Sequence, residues 1–278
     1  VMLRISGYGQ TGPYRDLPGF GAIGEAMGGL RHLTGEPGRV PVRVGVSIGD
    51  TLAALHGAIG VMMALYHRKV NGGAGQVIDV ALHEAVFNCM ESLIPEYSAF
   101  GVVREAAGSA LPGIAPSNAY PCQDGWVLVA GNGDSIFKRL MAAVGRQDLA
   151  DDPQLADNAG RVARVAEIDA AIGAWTATLT VAQVMERLAA ARVPAGKVYT
   201  ARDIAEDPHY QAREMLLTQQ TRDGDEVTVP GIVPKFSATP GTIRSSAPRL
   251  GDDTDAVLAE AGLTQEQIAL LRGKGVIQ

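Results

Sequence analysis

The stretch GVSIGDTLAALHGAIG, residues 45–60, opens a run of mostly small and apolar residues that continues to residue 66. With Leu52, Leu55, Ile59, Val61, Met62, Met63 and Leu65 on one broad side and alanines and glycines on the other, the wheel is apolar all round, so the pattern predicts a helix over 51–69 that is buried all round. At 1.5 Å per residue it would be about 28 Å long, the width of a domain. His67, Arg68 and Lys69 suit its C-terminal end, where cations meet the negative pole of the helix dipole, and NGGAG (71–75) stops it. One residue is out of keeping. Asp50 places a carboxylate at the mouth of this helix. Asp is a favoured N-cap, worth about 1 kcal/mol. The same place suits a nucleophile, because free N–H groups and the positive helix pole favour a negative charge. A carboxylate held there can attack an acyl carbonyl and form a covalent intermediate. Spacing and composition leave both readings open.

Outward from this helix, strands and helices alternate. VMLRIS (1–6) reads as a buried strand that begins at the first residue, which suggests a fragment whose N-terminal portion is absent. GYGQTGPYRDLPG (7–19) is a turn-rich loop, and FGAIGEAMGGL (20–30) a short helix closed by Gly28 and Gly29. QVIDVAL (76–82) is a strand, followed by a helix from His83 that Pro95 is expected to interrupt. NAYPC (118–122) and WVLVA (126–130) flank Gln123, Asp124 and Gly125, a hairpin signal. Helices are expected near 135–144, 161–178, 181–191 and 265–272, with capping boxes at Thr180/Gln183 and Thr264/Gln267. EVTVP (226–230) and VPKFSA (233–238) read as strands. The class is α/β. The expected division is a large-domain portion over 1–95, a linker over 96–115, a small domain over 116–200, a linker over 201–221 and a return to the large domain over 222–278.

Composition narrows the partners. Hydrophobic residues make up 46% and charged ones 19% of the 278, a globular balance. A net charge of −6 argues against nucleic acid or anionic membrane as a partner, so an anionic ligand needs a local basic patch or backbone N–H groups. Cys89 and Cys122 make neither a metal-ligand spacing nor a disulfide framework, and are expected to be buried, reduced thiols. The uncharged run of the long helix, 51–66, is shorter than the ~20 residues of a membrane span, so a soluble protein is expected.

Three short motifs suggest other chemistry. GYGQTG (7–12) and GFGAIG (19–24) both match G-x-G-x-x-G, but neither has strand, glycine turn and helix in that order. GVSIG (45–49) matches the G-x-S-x-G elbow of serine hydrolases, with Ser47 as nucleophile and His83 or His209 as base. A hydrolase is therefore the alternative reading, though the pentapeptide is permissive.

The order of segments is more specific than any of them. SGYGQTGPYRDLPGF (6–20), AMGGLRHLTG (26–35), PVRVGVSIGD (41–50), ALYHRKVNGGAGQVIDVAL (64–82), LADDPQLADNAGRV (149–162) and VPGIVPKFSATPG (229–241) follow one another along the chain. Together they resemble the class III CoA-transferases, which include the carnitine-related CoA-transferases and α-methylacyl-CoA racemases, and above all the succinyl-CoA-dependent dicarboxylate group. The resemblance implies a Rossmann-like large domain, here partial, and a smaller α+β domain. It implies a cytoplasmic enzyme that moves CoA from an acyl-CoA to a small carboxylic acid, with Asp50 forming an aspartyl-CoA thioester. CoA is then a substrate, and no permanently bound cofactor or metal is expected. Leu17, Pro18, Gly19 and Phe20 match the segment that lines the CoA site. Gly131, Asn132 and Gly133 are substrate-side candidates. The family folds as interlocked homodimers, and its members begin with a Rossmann-like section that precedes the first strand of this chain, so a catalytically inert truncated member is a further alternative. Phe20 stands where the racemase branch has a histidine, which removes racemisation by the usual acid–base pair. Gly21 stands where many members have an acid. LGDDT (250–254) replaces an LLGEHT-like stretch.

Overall fold

The β-branched and aliphatic residues of MLRIS and VIDVA form two parallel strands, β1 (Met2–Ser6) and β2 (Val77–Ala81), with Met2 opposite Val77 and Ser6 opposite Ala81. Parallel neighbours require a long crossover. In the computed structural model, which describes residues 1–278, that crossover contains α1 (Gly21–Met27), α2 (Leu30–Leu33) and α3 (Ile48–Val70). After β2 the chain turns directly into α4 (Leu82–Phe87) and then α5 (Leu93–Phe100). The chain divides into two compact units, Val1–Val198 and Tyr199–Gln278.

α3 runs over β1 and β2 with its small residues inward. Gly49, Ala53, Gly57 and Ala64 are buried, and a Cβ at Gly57 would stand 2.7 Å from Leu3 Cδ2. Ala53, Leu82 and Ala85 form a small core there, with Leu52 and Val80 against it. The large apolar residues face outward: Leu55, Ile59 and Tyr66 are exposed, as are Met62 and Met63 at 66% and 67%. The expectation of burial on every side is therefore wrong. The wheel is apolar all round, so composition gives no preference for a face, and close approach to the strands selects the small one. α3 is also long and apolar enough to cross a bilayer by length and composition, which corrects the estimate from the uncharged run; the helix continues at both ends beyond it. β1 is likewise not a buried strand, since Met2 and Ile5 are exposed. α3 packs on the strand pair through Leu3 and Ile78, which face Gly57 and Gly60.

Pro95 does not interrupt a helix. It is the third residue of α5, inside a first turn where the N–H has no intrahelical acceptor, so α5 forms around it. The break comes earlier, over 88–92, where Glu91 has φ +50°. Cys89 lies in that break and is exposed; Cys122 is partly buried, and burial raises its thiol pKa. Neither is the fully buried thiol expected.

The larger core of the first unit is built on an antiparallel sheet. β3 (Ser117–Cys122) and β4 (Gly125–Ala130) form the expected hairpin, with Cys122 opposite Gly125 and only Gln123 and Asp124 between. β5 (Ala195–Lys197) adds to the other edge of β4. The period of two is plain: Val127 and Val129 are fully buried while Trp126 and Leu128 face out. Against this sheet lie α6 (Asp134–Val144), α7 (Gln147–Ala150), α8 (Asn158–Ala163), α9 (Val165–Thr176) and α10 (Val181–Ala190). The helix expected over 161–178 is two, α8 with an Asp157 cap and α9. Phe137, Leu140, Met141, Ile168, Ile172, Val184 and Leu188 fill the space between helices and sheet. The Thr180–Gln183 capping box is formed.

Tyr120 is buried in this core and donates to Asp169 Oδ1 at 2.6 Å. Burial, and after it the Asp169 carboxylate, pushes its phenol well above the ordinary value. The sign follows from linkage. Above the ordinary phenol pKa of ~10 the unfolded chain loses this proton and the folded one keeps it, so stability is full below that pH and falls above it. Chemical denaturation at pH 8–11 should show wild type losing stability beyond pH 10 by up to about 1.4 kcal/mol per pH unit from this group. Tyr120→Phe should start lower by about 1–2 kcal/mol and lack that component of the slope.

In the second unit, α11 (Ala201–Glu206) and α12 (Pro208–Ala212) precede the antiparallel strands β6 (Leu216–Gln220) and β7 (Glu226–Pro230). EVTVP is a strand as expected, but its partner is Leu216–Gln220, and VPKFSA is irregular. Pro234 offers no N–H to a ladder. α13 (Thr254–Glu260) and α14 (Gln265–Gly273) close the chain, the latter with the Thr264–Gln267 capping box.

Candidate active site

LPGF ends where α1 begins. Phe20 is the N-cap of α1, in extended conformation, and is 80% exposed; Leu17 is exposed as well. The segment is held from behind by the first loop. Gly7 and Gly19 meet back to back, and a Cβ on either would stand 2.9 Å from the other's Cα. The first loop is pinned in turn: Gly9 N–H donates to Ser6 Oγ (3.1 Å) and Gln10 N–H to Asp79 Oδ2 (2.8 Å). Tyr8 packs edge-on to Tyr14 and beside His83, whose Nδ1 donates to the Gly7 carbonyl (3.2 Å).

The first turn of α3 lies on α1. Its N-cap is Ser47, and Asp50 is the third helical residue. The N-cap reading of Asp50 therefore fails. Its carboxylate is exposed and accepts no hydrogen bond from the helix. It rests on the backbone of Gly21, where a Cβ would stand 2.6 Å from Asp50 Cγ and closer still to Oδ2. An acidic side chain at this position would have no room while Asp50 lies there. Asp50 and the LPGF segment are thus brought together, with Gly21 as the link.

Glu25, one turn further along α1, was passed over in the sequence. It is fully buried, accepts from Gly49 N–H through Oε1 (3.4 Å), and pairs through Oε2 with Arg31 Nε (3.1 Å). A charged residue inside the otherwise uncharged GAIGEAM was the available signal.

Ser47 lacks what an elbow nucleophile needs. Residues 40–47 contain no strand, and the Ser47 hydroxyl accepts from Arg43 Nη2 (3.2 Å) and meets no histidine. His83 is committed to Gly7.

Gly131, Asn132 and Gly133 lie between β4 and α6. Their bonds run elsewhere: Gly131 N–H donates to the Pro116 carbonyl, and the Asn132 carbonyl accepts from Arg161 Nη2 (2.8 Å). Arg161, fully buried, also binds the carbonyls of Ala115, Leu155 and Ala156 and the Asp134 carboxylate, and lies over the Phe137 ring. It ties this loop to the one ending at Ala115. No hydrogen bond joins the 131–133 loop to Asp50 or to LPGF.

Residues 1–254 match the profile of CoA-transferase family III. The chain belongs to that family. Over its whole length this CoA-transferase is 45% identical, across 279 residues, to the succinyl-CoA–D-citramalate CoA-transferase of Chloroflexus aurantiacus, of which it covers 69%. It is 42% identical across 282 residues to the beta subunit of the succinyl-CoA–L-malate CoA-transferase of the same organism, again covering 69%. Among solved structures, a CAIB/BAIF family protein from Brucella suis matches with a TM-score of 0.78 and 32% identity, over 93% of this chain and 67% of that one. The resemblance read from the ordered motifs holds, and so does the mixed α/β fold of a class III CoA-transferase.

Proposed function

We propose that this CoA-transferase moves CoA from succinyl-CoA to a small dicarboxylic acid through an aspartyl-CoA thioester on Asp50. The observation that carries the proposal is the free, exposed carboxylate of Asp50 on the first turn of α3, lodged against Gly21 and next to the open LPGF segment. The names of the two Chloroflexus relatives support the donor and the class of acceptor.

An Asp50 carboxylate oxygen attacks the thioester carbonyl of the donor, and the C–S bond breaks to give a mixed anhydride and CoA thiolate. The thiolate attacks the Asp50 carbonyl carbon, expelling the donor carboxylate and leaving the aspartyl-CoA thioester. The acceptor carboxylate attacks that thioester, again releasing thiolate, and the thiolate takes the acceptor acyl group from the second anhydride. Asp50 is restored. Each attack builds an oxyanion, and the first turn of α3 has N–H groups without intrahelical partners to meet it. Holding three reactants side by side removes much of the entropic barrier. Leu17, Pro18, Gly19 and Phe20 offer apolar and backbone contacts to the pantetheine arm or adenine of CoA. Gly131, Asn132 and Gly133 are kept as substrate-side candidates. The division into a large domain over 1–95 and 222–278 and a small one over 116–200 belongs to the same proposal. So does a homodimer; the alpha- and beta-subunit names of the malate transferases support only that such relatives act as assemblies of more than one chain.

The test is chemical trapping. The chain is incubated with succinyl-CoA, quenched with hydroxylamine or borohydride, and digested for peptide mass. A modified Asp50 is the expected result. A fluorophosphonate adduct on Ser47 would favour hydrolysis instead, and no label on either residue would mark an inert chain.

A further inference from the structure

A helix begins with N–H groups that have no intrahelical acceptor, and the N-cap side chain ordinarily supplies one. Ser47 does not do so for α3; its hydroxyl is engaged by Arg43. The acceptor comes from another helix. Glu25 of α1 reaches the Gly49 N–H with Oε1, and Arg31 holds Oε2. A fully buried carboxylate is costly unless both oxygens are satisfied, and an apolar residue of similar volume would be the cheaper filler between two helices.

The location gives the carboxylate a second consequence. Gly49 is the residue before Asp50, and Gly21, on which the Asp50 carboxylate rests, is one turn before Glu25 on the same helix. Packing at Gly49 is close, with its Cβ position 3.0 Å from the Gly21 carbonyl oxygen and 3.2 Å from Glu25 Cγ. Glu25 thus spans the joint between the helix that carries Asp50 and the helix that forms its floor. Any slip of one on the other moves Asp50 off Gly21.

We propose that Glu25 is a positioning residue for the transfer reaction, fixing the α3 first turn so that Asp50 is aimed at the thioester carbonyl. This rests on Asp50 as the acceptor of CoA. The substrate does not touch Glu25, so its effect is on the rate of covalent steps and not on substrate affinity.

The experiment uses the full chain, succinyl-CoA, and the variants Glu25→Met and Glu25→Gln. Labelled Asp50 counts the competent sites, and single turnovers give the rate of Asp50 labelling per competent site. Glu25→Met removes the acceptor while keeping volume. It should slow labelling per site on the order of 10- to 100-fold, with KM for succinyl-CoA within about twofold of wild type. Glu25→Gln keeps a carbonyl for the Gly49 N–H and should recover most of the rate. A merely structural carboxylate would lower the melting temperature and the number of competent sites, leaving the rate per site unchanged. A wild-type rate per site in Glu25→Met, or a Gln variant no faster than Met, overturns the proposal; so does failure of both variants to fold. If wild type itself carries no label on Asp50, the reading of Asp50 fails and this one with it.

Discussion

Asp50→Asn should lose CoA transfer by about four orders of magnitude or more, the scale expected when an obligatory nucleophile is deleted. It should melt within about 2–4 °C of the parent chain. The two halves of this result separate the readings that the sequence left open. A cap would show its loss in stability, because an orphaned helix N–H is a folded-state defect. Asp50 caps nothing: Ser47 is the N-cap, Asp50 is the third residue of the helix, and its carboxylate rests free on Gly21. Only a small dipole contribution is lost on neutralisation. An amide of the same shape cannot form the anhydride, so chemistry stops while the fold persists. Full-rate turnover by Asp50→Asn would end the proposed mechanism.

Gly21→Ala is the second large effect, and its two readouts should move in opposite directions. Gly21 is the first residue of α1, where alanine is the better helix former by up to about 1 kcal/mol. The group in the way of the new methyl is the Asp50 carboxylate, the movable end of a side chain, so the fold can accept the methyl. Asp50 must swing aside to make room. A displacement of about 1 Å at a reacting atom can cost on the order of 100-fold in rate, and that loss of kcat is expected here. Stopped-flow labelling with succinyl-CoA, alongside thermal melts, measures both. Wild-type kcat in Gly21→Ala would show that Asp50 reacts from some other position.

Much of this was legible in the chain because the signals were local. The hairpin at Gln123 and Asp124, the capping boxes at Thr180 and Thr264, and the helix after LPGF each depend on residues within a turn of one another. The family was legible for another reason: six segments in fixed order constrain more than any single motif. The failures were non-local. VPKFSA has a strand's composition but no ladder partner, and EVTVP found its partner in Leu216–Gln220 instead. Glu25 looks like an ordinary acid until α3 is laid across α1. Arg161 shows its role only when the carbonyls of residues 115, 132, 155 and 156 converge on it.

Read alone, the chain specifies that a long apolar helix starts near residue 51, that a carboxylate sits at its mouth, and that a glycine-bearing LPGF segment opens another helix. Those follow from periodicity and backbone chemistry over a few residues. Which face of the long helix turns inward, and which carboxylate is left free, belonged to the packing of α3 on α1 and on the strand pair. An all-apolar wheel carries no preference of its own; the inward face is the one whose glycines and alanines let backbones approach, and that contact puts Asp50 on Gly21 and the Gly49 N–H on Glu25.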